Sequence, residues 1–249
     1  MKAIYFDLGN TRIKWQHASG AGVIEYAGLE AGIRSLQVLM QDKPEVVFAS
    51  VVKDQRKDQF LAAVRAVWGA QVHQCVVTAR ALGVECAYAD VSRLGIDRWL
   101  AVVAAWQQNL GAVLVADLGT AATFDFVDAG GRHLGGYILP GLKLGLSALL
   151  AGTNNVVVDV DLLHEATPVP GKNTNEAVYH GAMAAMIANI ETSLARLKRS
   201  NPDAKLLLTG GDSALVAQHL DCHYQRQDDL VMQGMKLLYE HGLTLKTPT

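Results

Sequence analysis

Cysteine is scarce in this sequence and never suitably spaced. The three present, Cys75, Cys86 and Cys222, lie far apart and form no CxxC pair. They indicate neither a zinc site nor a disulfide framework, so reduced thiols in a cytoplasmic protein are the expectation. A surplus of one charge is also missing. The 22 basic and 24 acidic residues leave a formal net charge of −2. No Lys/Arg run stands out, so no nucleic-acid partner is expected. The longest cationic cluster, Arg196, Lys198 and Arg199, falls where a long helix should end and where cations suit its negative pole. No apolar run reaches the roughly 18 residues that a membrane-spanning helix needs. Near the N-terminus Asp7 breaks the apolar run within one strand length, which is unlike a secretory signal. A soluble protein without a membrane partner is expected.

Several signatures are absent as well. The chain has no GxxxxGK[ST] and no clean GxGxxG after a strand, which argues against P-loop and dinucleotide folds. It has no GxSxG or HExxH, the usual pointers to serine esterases and zinc proteases. Its eight histidines are scattered without ligand spacing and read as core or surface residues.

What is present is a long, apolar, alternating chain. Half of its 249 residues are hydrophobic, enough for one large core or two ordinary lobes. Strand and helix patterns alternate, which signals α/β architecture. Strands are expected over 3–8, 12–16 and 23–27, with Ser19-Gly20-Ala21-Gly22 as the last connection. A helix over 29–40, a strand over 45–52, a helix over 55–68, a strand over 72–77 and a helix over 96–110 follow. The pattern then restarts, with strands over 112–118, 123–127 and 133–138. Helices over 142–150 and 175–198, a strand over 205–209, and closing helices over 213–220 and 230–242 complete it. Both first strands end in Asp-Leu-Gly, at Asp7 and at Asp117. This internal duplication implies two similar lobes, 1–111 and 112–249, with a boundary near Asn109-Leu110-Gly111 and a ligand cleft between them.

The first of these turns is Asp7-Leu8-Gly9-Asn10-Thr11-Arg12-Ile13-Lys14. Gly9 can let a phosphate approach the backbone, and successive N–H groups there can form an anion nest. Asn10 and Thr11 add side-chain donors, Lys14 could return its ammonium to the same phosphate, and Asp7 would suit a hydrated Mg²⁺. An ordinary hairpin turn is the plainer reading. The second turn, Asp117-Leu118-Gly119-Thr120, repeats the pattern, and the pair together favours phosphate binding. Thr209-Gly210-Gly211-Asp212 could admit the flat face of a nucleobase, or simply cap a helix through Asp212 or Ser213. Phosphoryl transfer needs a base. Asp97, in Gly95-Ile96-Asp97-Arg98-Trp99, is the candidate, with Arg98 placed to clamp a substrate carboxylate. The alternative is that Asp97 only caps its helix and Arg98 makes a surface ion pair.

Taken in order, Asp7–Lys14, Gly95–Arg98, Asp117–Thr123, Gly135–Gly141, Lys172–Ala177 and Thr209–Asp212 resemble the motifs of type III pantothenate kinases. The resemblance spans nearly the whole chain up to about Asp212. It implies an actin/hexokinase-type fold of duplicated ribonuclease-H-like lobes, each a mixed sheet flanked by helices. It further implies ATP-dependent phosphorylation of pantothenate to 4′-phosphopantothenate, the first committed step toward coenzyme A. By the same resemblance Asp7–Lys14 would hold the ATP phosphates and Mg²⁺, and Thr120 would add an ATP contact. Asp97 would accept the proton within the Gly95–Arg98 pantothenate segment. Asp117 would bind a monovalent cation, potassium or ammonium. Thr174 matches a substrate contact, and Tyr88 another by spacing alone. A homodimer is implied, and the helix bearing Trp99 and Trp106 would supply apolar surface for it or else pack internally. Ile96 stands where many relatives carry a small residue. The stretch 154–170 carries no transferable motif. The competing readings are a kinase for another small hydroxylated or carboxylate substrate and a nucleotide-binding accessory regulator of the same fold.

Overall fold

A computed structural model of the chain describes residues 3–40, 43–52, 54–69, 71–153 and 160–247. It contains two compact units. The first comprises the chain up to Leu82, Tyr88–Ala104 and the segment from Leu230 onward; the second comprises Gly83–Ala87 and Ala105–Asp229.

The first unit begins with β1 (Ala3–Leu8), β2 (Arg12–His17) and β3 (Gly20–Glu25), an antiparallel meander. A single 3₁₀ turn leads into α1 (Leu29–Leu39). Then come β4 (Glu45–Ser50), α2 (Gln55–Trp68) and β5 (Val72–Cys75). The short strand β6 (Arg80–Ala81) belongs here, β7 (Val84–Glu85) belongs to the second unit, and α3 (Ile96–Trp106) follows. β1 is apolar nearly throughout because both its faces are covered. Phe6 meets Phe60 of α2 with ring centroids 5.1 Å apart, while its neighbour Tyr5 meets Tyr239 from the other side at 6.2 Å.

The second unit repeats the plan with β8 (Val113–Leu118), β9 (Ala121–Val127) and β10 (His133–Pro140). α4 (Leu142–Ala151), the long α5 (Thr174–Lys198), β11 (Lys205–Thr209), α6 (Ser213–Ala217) and β12 (Gln225–Arg226) follow. Leu114, Ala116 and Leu118 of β8 share one core with Met183, Met186 and Ile190 of α5. The chain closes with α7 (Leu230–Glu240) and β13 (Thr244–Thr247).

Strand order makes the duplication explicit. The first sheet runs β13-β5-β4-β1-β2-β3 and the second β12-β11-β8-β9-β10. In each, the first strand pairs antiparallel with the second and parallel with the fourth. This bears out the expected duplicated α/β plan.

Three spans differ from those expected. Residues from Leu230 onward were expected in the second lobe, whereas α7 and β13 join the first unit. β13 pairs antiparallel with β5, from Thr244 opposite Cys75 to Thr247 opposite Val72. α7 lies close on α3 because Gly234 has no side chain, and a Cβ there would come within 2.7 Å of the Leu100 carbonyl carbon. The division also falls at Ala104/Ala105 inside α3 rather than at 109–111. The third strand starts at Gly20 instead of Val23. Gly22 stands beneath the Trp15 indole, where a Cβ would lie 2.9 Å from Nε1, so glycines expected as linker are strand residues.

Candidate active site

The two Asp-Leu-Gly turns sit at equivalent strand ends. In both β1 and β8 the aspartate is the one half-buried residue of an otherwise buried strand. Antiparallel partners share a sheet face, so the partners define each carboxylate's surroundings. Asp7 is opposite Lys14 on β2 and beside Ala49 on β4. Asp117 is opposite Thr123 on β9 and beside Thr209 on β11. The first aspartate therefore has a lysine as its cross-strand neighbour, and the second has a threonine on either side. The turns differ in length too. Gly9 N–H donates to the Arg12 carbonyl at 3.1 Å, and Gly119 N–H to that of Ala121 at 3.1 Å. The first turn thus has one more residue, leaving Asn10 and Thr11 exposed at its tip.

Around the second turn three sequence motifs converge. The Gly141 N–H donates to the Thr120 carbonyl at 3.0 Å, and the Asp212 N–H to that of Leu118 at 2.9 Å. Gly210 has φ +89°, and a Cβ on it would lie 2.6 Å from the Leu118 nitrogen. Ser213 Oγ donates to the Gly210 carbonyl at 2.7 Å. Asp212 occupies the cap position of α6 but its side chain caps nothing. Burial raises its pKa, partly offset by Lys143. Leu118, Gly119, Gly141 and Asp212 line a small gap between the turn and α6.

The Gly95–Arg98 segment opens α3. Asp97 is half-buried, and its Oδ1 accepts from the Arg98 N–H at 2.8 Å, so the carboxylate does engage the first turn of its helix. Arg98 is buried, not on the surface. It is 5% exposed, with Nη1 donating to the Tyr88 hydroxyl at 3.1 Å and its guanidinium 5.9 Å from that ring's centroid. Burying a guanidinium against an aromatic face and a hydroxyl sets its direction closely.

A family model described as type III pantothenate kinase matches residues 3–196. A type III pantothenate kinase of Chromohalobacter salexigens is 37% identical over 245 residues, covering 94% of this chain and 85% of the relative. One from Acinetobacter baylyi is 34% identical over 257 residues, covering 98% and 100%. This chain belongs to the type III pantothenate kinase family. Among solved structures, a Campylobacter jejuni protein provisionally assigned to the Baf family of transcriptional activators gives a TM-score of 0.58 at 20% identity, covering 96% and 98%. The PilM–PilN type IV pilus biogenesis complex gives 0.54 at 12% identity, covering 98% and 99%. Likeness at such identities speaks to the fold alone, here a duplicated α/β plan.

For this kinase-family chain, the sequence-derived residues fall into distinct groups. Asp7, Gly9, Asn10, Thr11 and Lys14 form the first turn, and Tyr88, Gly95, Ile96, Asp97 and Arg98 form a second group in the same unit. Asp117, Gly119, Thr120, Gly210 and Gly211 gather in the other unit. Thr174 is exposed at the first position of α5, whose cap is built by its neighbours. Asn173 Oδ1 accepts from the Glu176 N–H at 3.0 Å, and Glu176 Oε2 accepts from the Lys172 N–H at 2.8 Å. Trp99 is fully buried and so supplies no dimer surface. Trp106 packs over Gly83 and Gly131, whose absent Cβ atoms would come within 2.9 and 3.0 Å of its ring. Of the stretch 154–170, residues 154–159 lie outside those described. Sequence reasoning missed Tyr26, Asp54 and Arg56, all of which cluster at the first turn. The only local signal was Asp54 as a helix cap. No helix among the described residues is long and apolar enough to cross a membrane.

Proposed function

We propose that this chain transfers the γ-phosphoryl group of ATP to the hydroxyl of pantothenate, giving 4′-phosphopantothenate and ADP, with Asp97 as proton acceptor. Family membership supports the reaction, and one observation carries the residue assignment. Arg98 is buried and aimed by Tyr88 beside a half-buried Asp97. A carboxylate substrate with a distal hydroxyl needs that pairing: a cation for one end and a base for the other.

Pantothenate's carboxylate binds Arg98, with Tyr88, Gly95, Ile96 and Thr174 as further substrate contacts. The Asp97 carboxylate accepts the hydroxyl proton as the oxygen bonds to the γ-phosphorus and the bond to the β-phosphate oxygen breaks. Gly9, Asn10 and Thr11 donate to phosphate oxygens, and Lys14 adds positive charge. In the second unit Gly119, Thr120, Gly210 and Gly211 serve the nucleotide through backbone approach.

A Mg²⁺ ion bound with ATP would neutralise phosphate charge. Such an ion normally uses one or two carboxylates plus phosphates and water. Asp7, at the end of β1, would supply one such carboxylate. Asp117, whose strand neighbours Thr123 and Thr209 are hydroxyl residues, would bind a monovalent cation, potassium or ammonium. A homodimer fits the exposed Leu134, Tyr137 and Ile138 of β10 and Leu144 of α4, and sedimentation would test it. A cytoplasmic location agrees with ATP as donor.

The reaction is tested by coupled ADP detection over pantothenate, sugars and acetate-like acids. Turnover with pantothenate is expected. Activity on a sugar alone, or nucleotide binding with no turnover on any acceptor, would replace this reading with another kinase or with an accessory nucleotide-binding regulator.

A further inference from the structure

The outer side of the first turn carries contacts that the proposed chemistry leaves unused. Tyr26 Oη donates to the Gly9 carbonyl at 2.7 Å. Arg56 Nη1 donates to the next carbonyl, that of Asn10. Arg56 is itself held in place. Its Nε lies 3.0 Å from both Asp54 carboxylate oxygens, its Nη2 lies 2.6 Å from Oδ2, and its guanidinium is 5.2 Å from the Tyr26 ring centroid. Burial raises the Tyr26 pKa, with Arg56 opposing, so the phenol remains a protonated donor at neutral pH.

A trans peptide is planar, and its N–H points opposite to its C=O. Holding the Gly9 carbonyl toward Tyr26 therefore turns the Asn10 N–H the other way. Holding the Asn10 carbonyl toward Arg56 does the same for the Thr11 N–H. Two successive N–H groups aimed together are the elements of an anion nest. Without the two anchors each peptide plane could rotate, the more so because Gly9 is conformationally permissive.

We propose that Tyr26 and Arg56 are positioning residues that hold two successive peptide planes of the first turn, so that the Asn10 and Thr11 N–H groups face a nucleotide phosphate. This rests on assigning the turn to ATP phosphates. Asp54 keeps the guanidinium oriented, and Arg56 acts through the backbone, not by touching phosphate.

The test compares Tyr26→Phe, Arg56→Lys and Arg56→Met with the parent enzyme. It measures KM for ATP and for pantothenate, and ADP affinity by calorimetry without pantothenate. Each variant is expected to weaken ADP binding and raise the ATP KM by about three- to tenfold, the scale of one lost hydrogen bond to a functional group. Pantothenate KM stays unchanged, and the melting temperature of Tyr26→Phe stays near the parent's. Lysine keeps the charge but cannot span Asp54 and Asn10 together, so it should not restore affinity. Unchanged ADP affinity in Tyr26→Phe would overturn the proposal, as would full recovery in Arg56→Lys, which would indicate charge alone. A parent enzyme inactive on pantothenate, whose ADP binding still weakens in these variants, would sink the assigned reaction while supporting the positioning role.

Discussion

Gly95 makes room for Asp97: a Cβ at position 95 would lie 2.5 Å from the Asp97 Oδ1. The clash involves the tip of a short side chain rather than backbone, so the fold can relieve it by turning the carboxylate. That separates stability from activity. Gly95→Ala should melt close to the parent while kcat falls by about tenfold or more, because a displaced catalytic group loses its geometry. Asp97→Asn should lower kcat by at least roughly 100-fold and leave ADP binding largely intact. Steady-state kinetics with calorimetry check both. A fully active Asp97→Asn would remove Asp97 from the role of base.

Arg98 gives the complementary signature. Its burial and its contact with Tyr88 suit a planar fork better than a point charge. Arg98→Lys should raise the pantothenate KM by about tenfold and leave the ATP KM unchanged. Tyr88→Phe should give a smaller change in the same direction, since the ring remains. Initial rates over a grid of both substrates separate these effects.

The parts of the fold that sequence exposes are those set by neighbouring residues. α2 is read at its true limits because Asp54 accepts from the Arg56 N–H at its start and Gly69, at φ 50°, closes its end. The repeated Asp-Leu-Gly at two strand ends likewise reveals the duplicated sheet. Elements set by distant pairing stay hidden. β13 is a short strand whose partner, β5, lies far upstream. Arg56 meets Asn10 only because β4 is hydrogen-bonded to β1. Arg98 shows the limit clearly: an arginine beside an aspartate reads locally as a surface pair, and only tertiary packing buries it.

Gly210 tests whether the second turn is a packed unit. Its φ of +89° is rare for any residue with a side chain, and an added Cβ would press on the Leu118 backbone at 2.6 Å. Unlike the carboxylate at Asp97, that backbone cannot swing away. Gly210→Ala should cost about 2 kcal/mol or more in urea unfolding and weaken ADP binding as well. Gly211→Ala, with nothing near its Cβ position, is the control and should be close to neutral in stability.

Asp128 sets an acid limit on the turn between β9 and β10. Its Oδ1 accepts from the Gly130 and Arg132 N–H groups at 2.9 Å each, and its Oδ2 accepts from Arg132 Nε at 2.7 Å. Burial pushes its pKa up, but these hydrogen bonds together outweigh it and leave the value below the ordinary 3.8. A depressed folded value means that the stabilisation is fully present above the unfolded value and is lost as pH falls through the folded one. Asp128→Asn should therefore destabilise the protein by about 1–3 kcal/mol at pH 7, the range for hydrogen bonds to a charged group. The gap from the parent should hold steady down to about pH 5 and narrow below about pH 4. Urea unfolding at pH 7, 5 and 3 checks this; a gap that is the same at pH 3 as at pH 7 would mean that the carboxylate's charge contributes nothing to the turn.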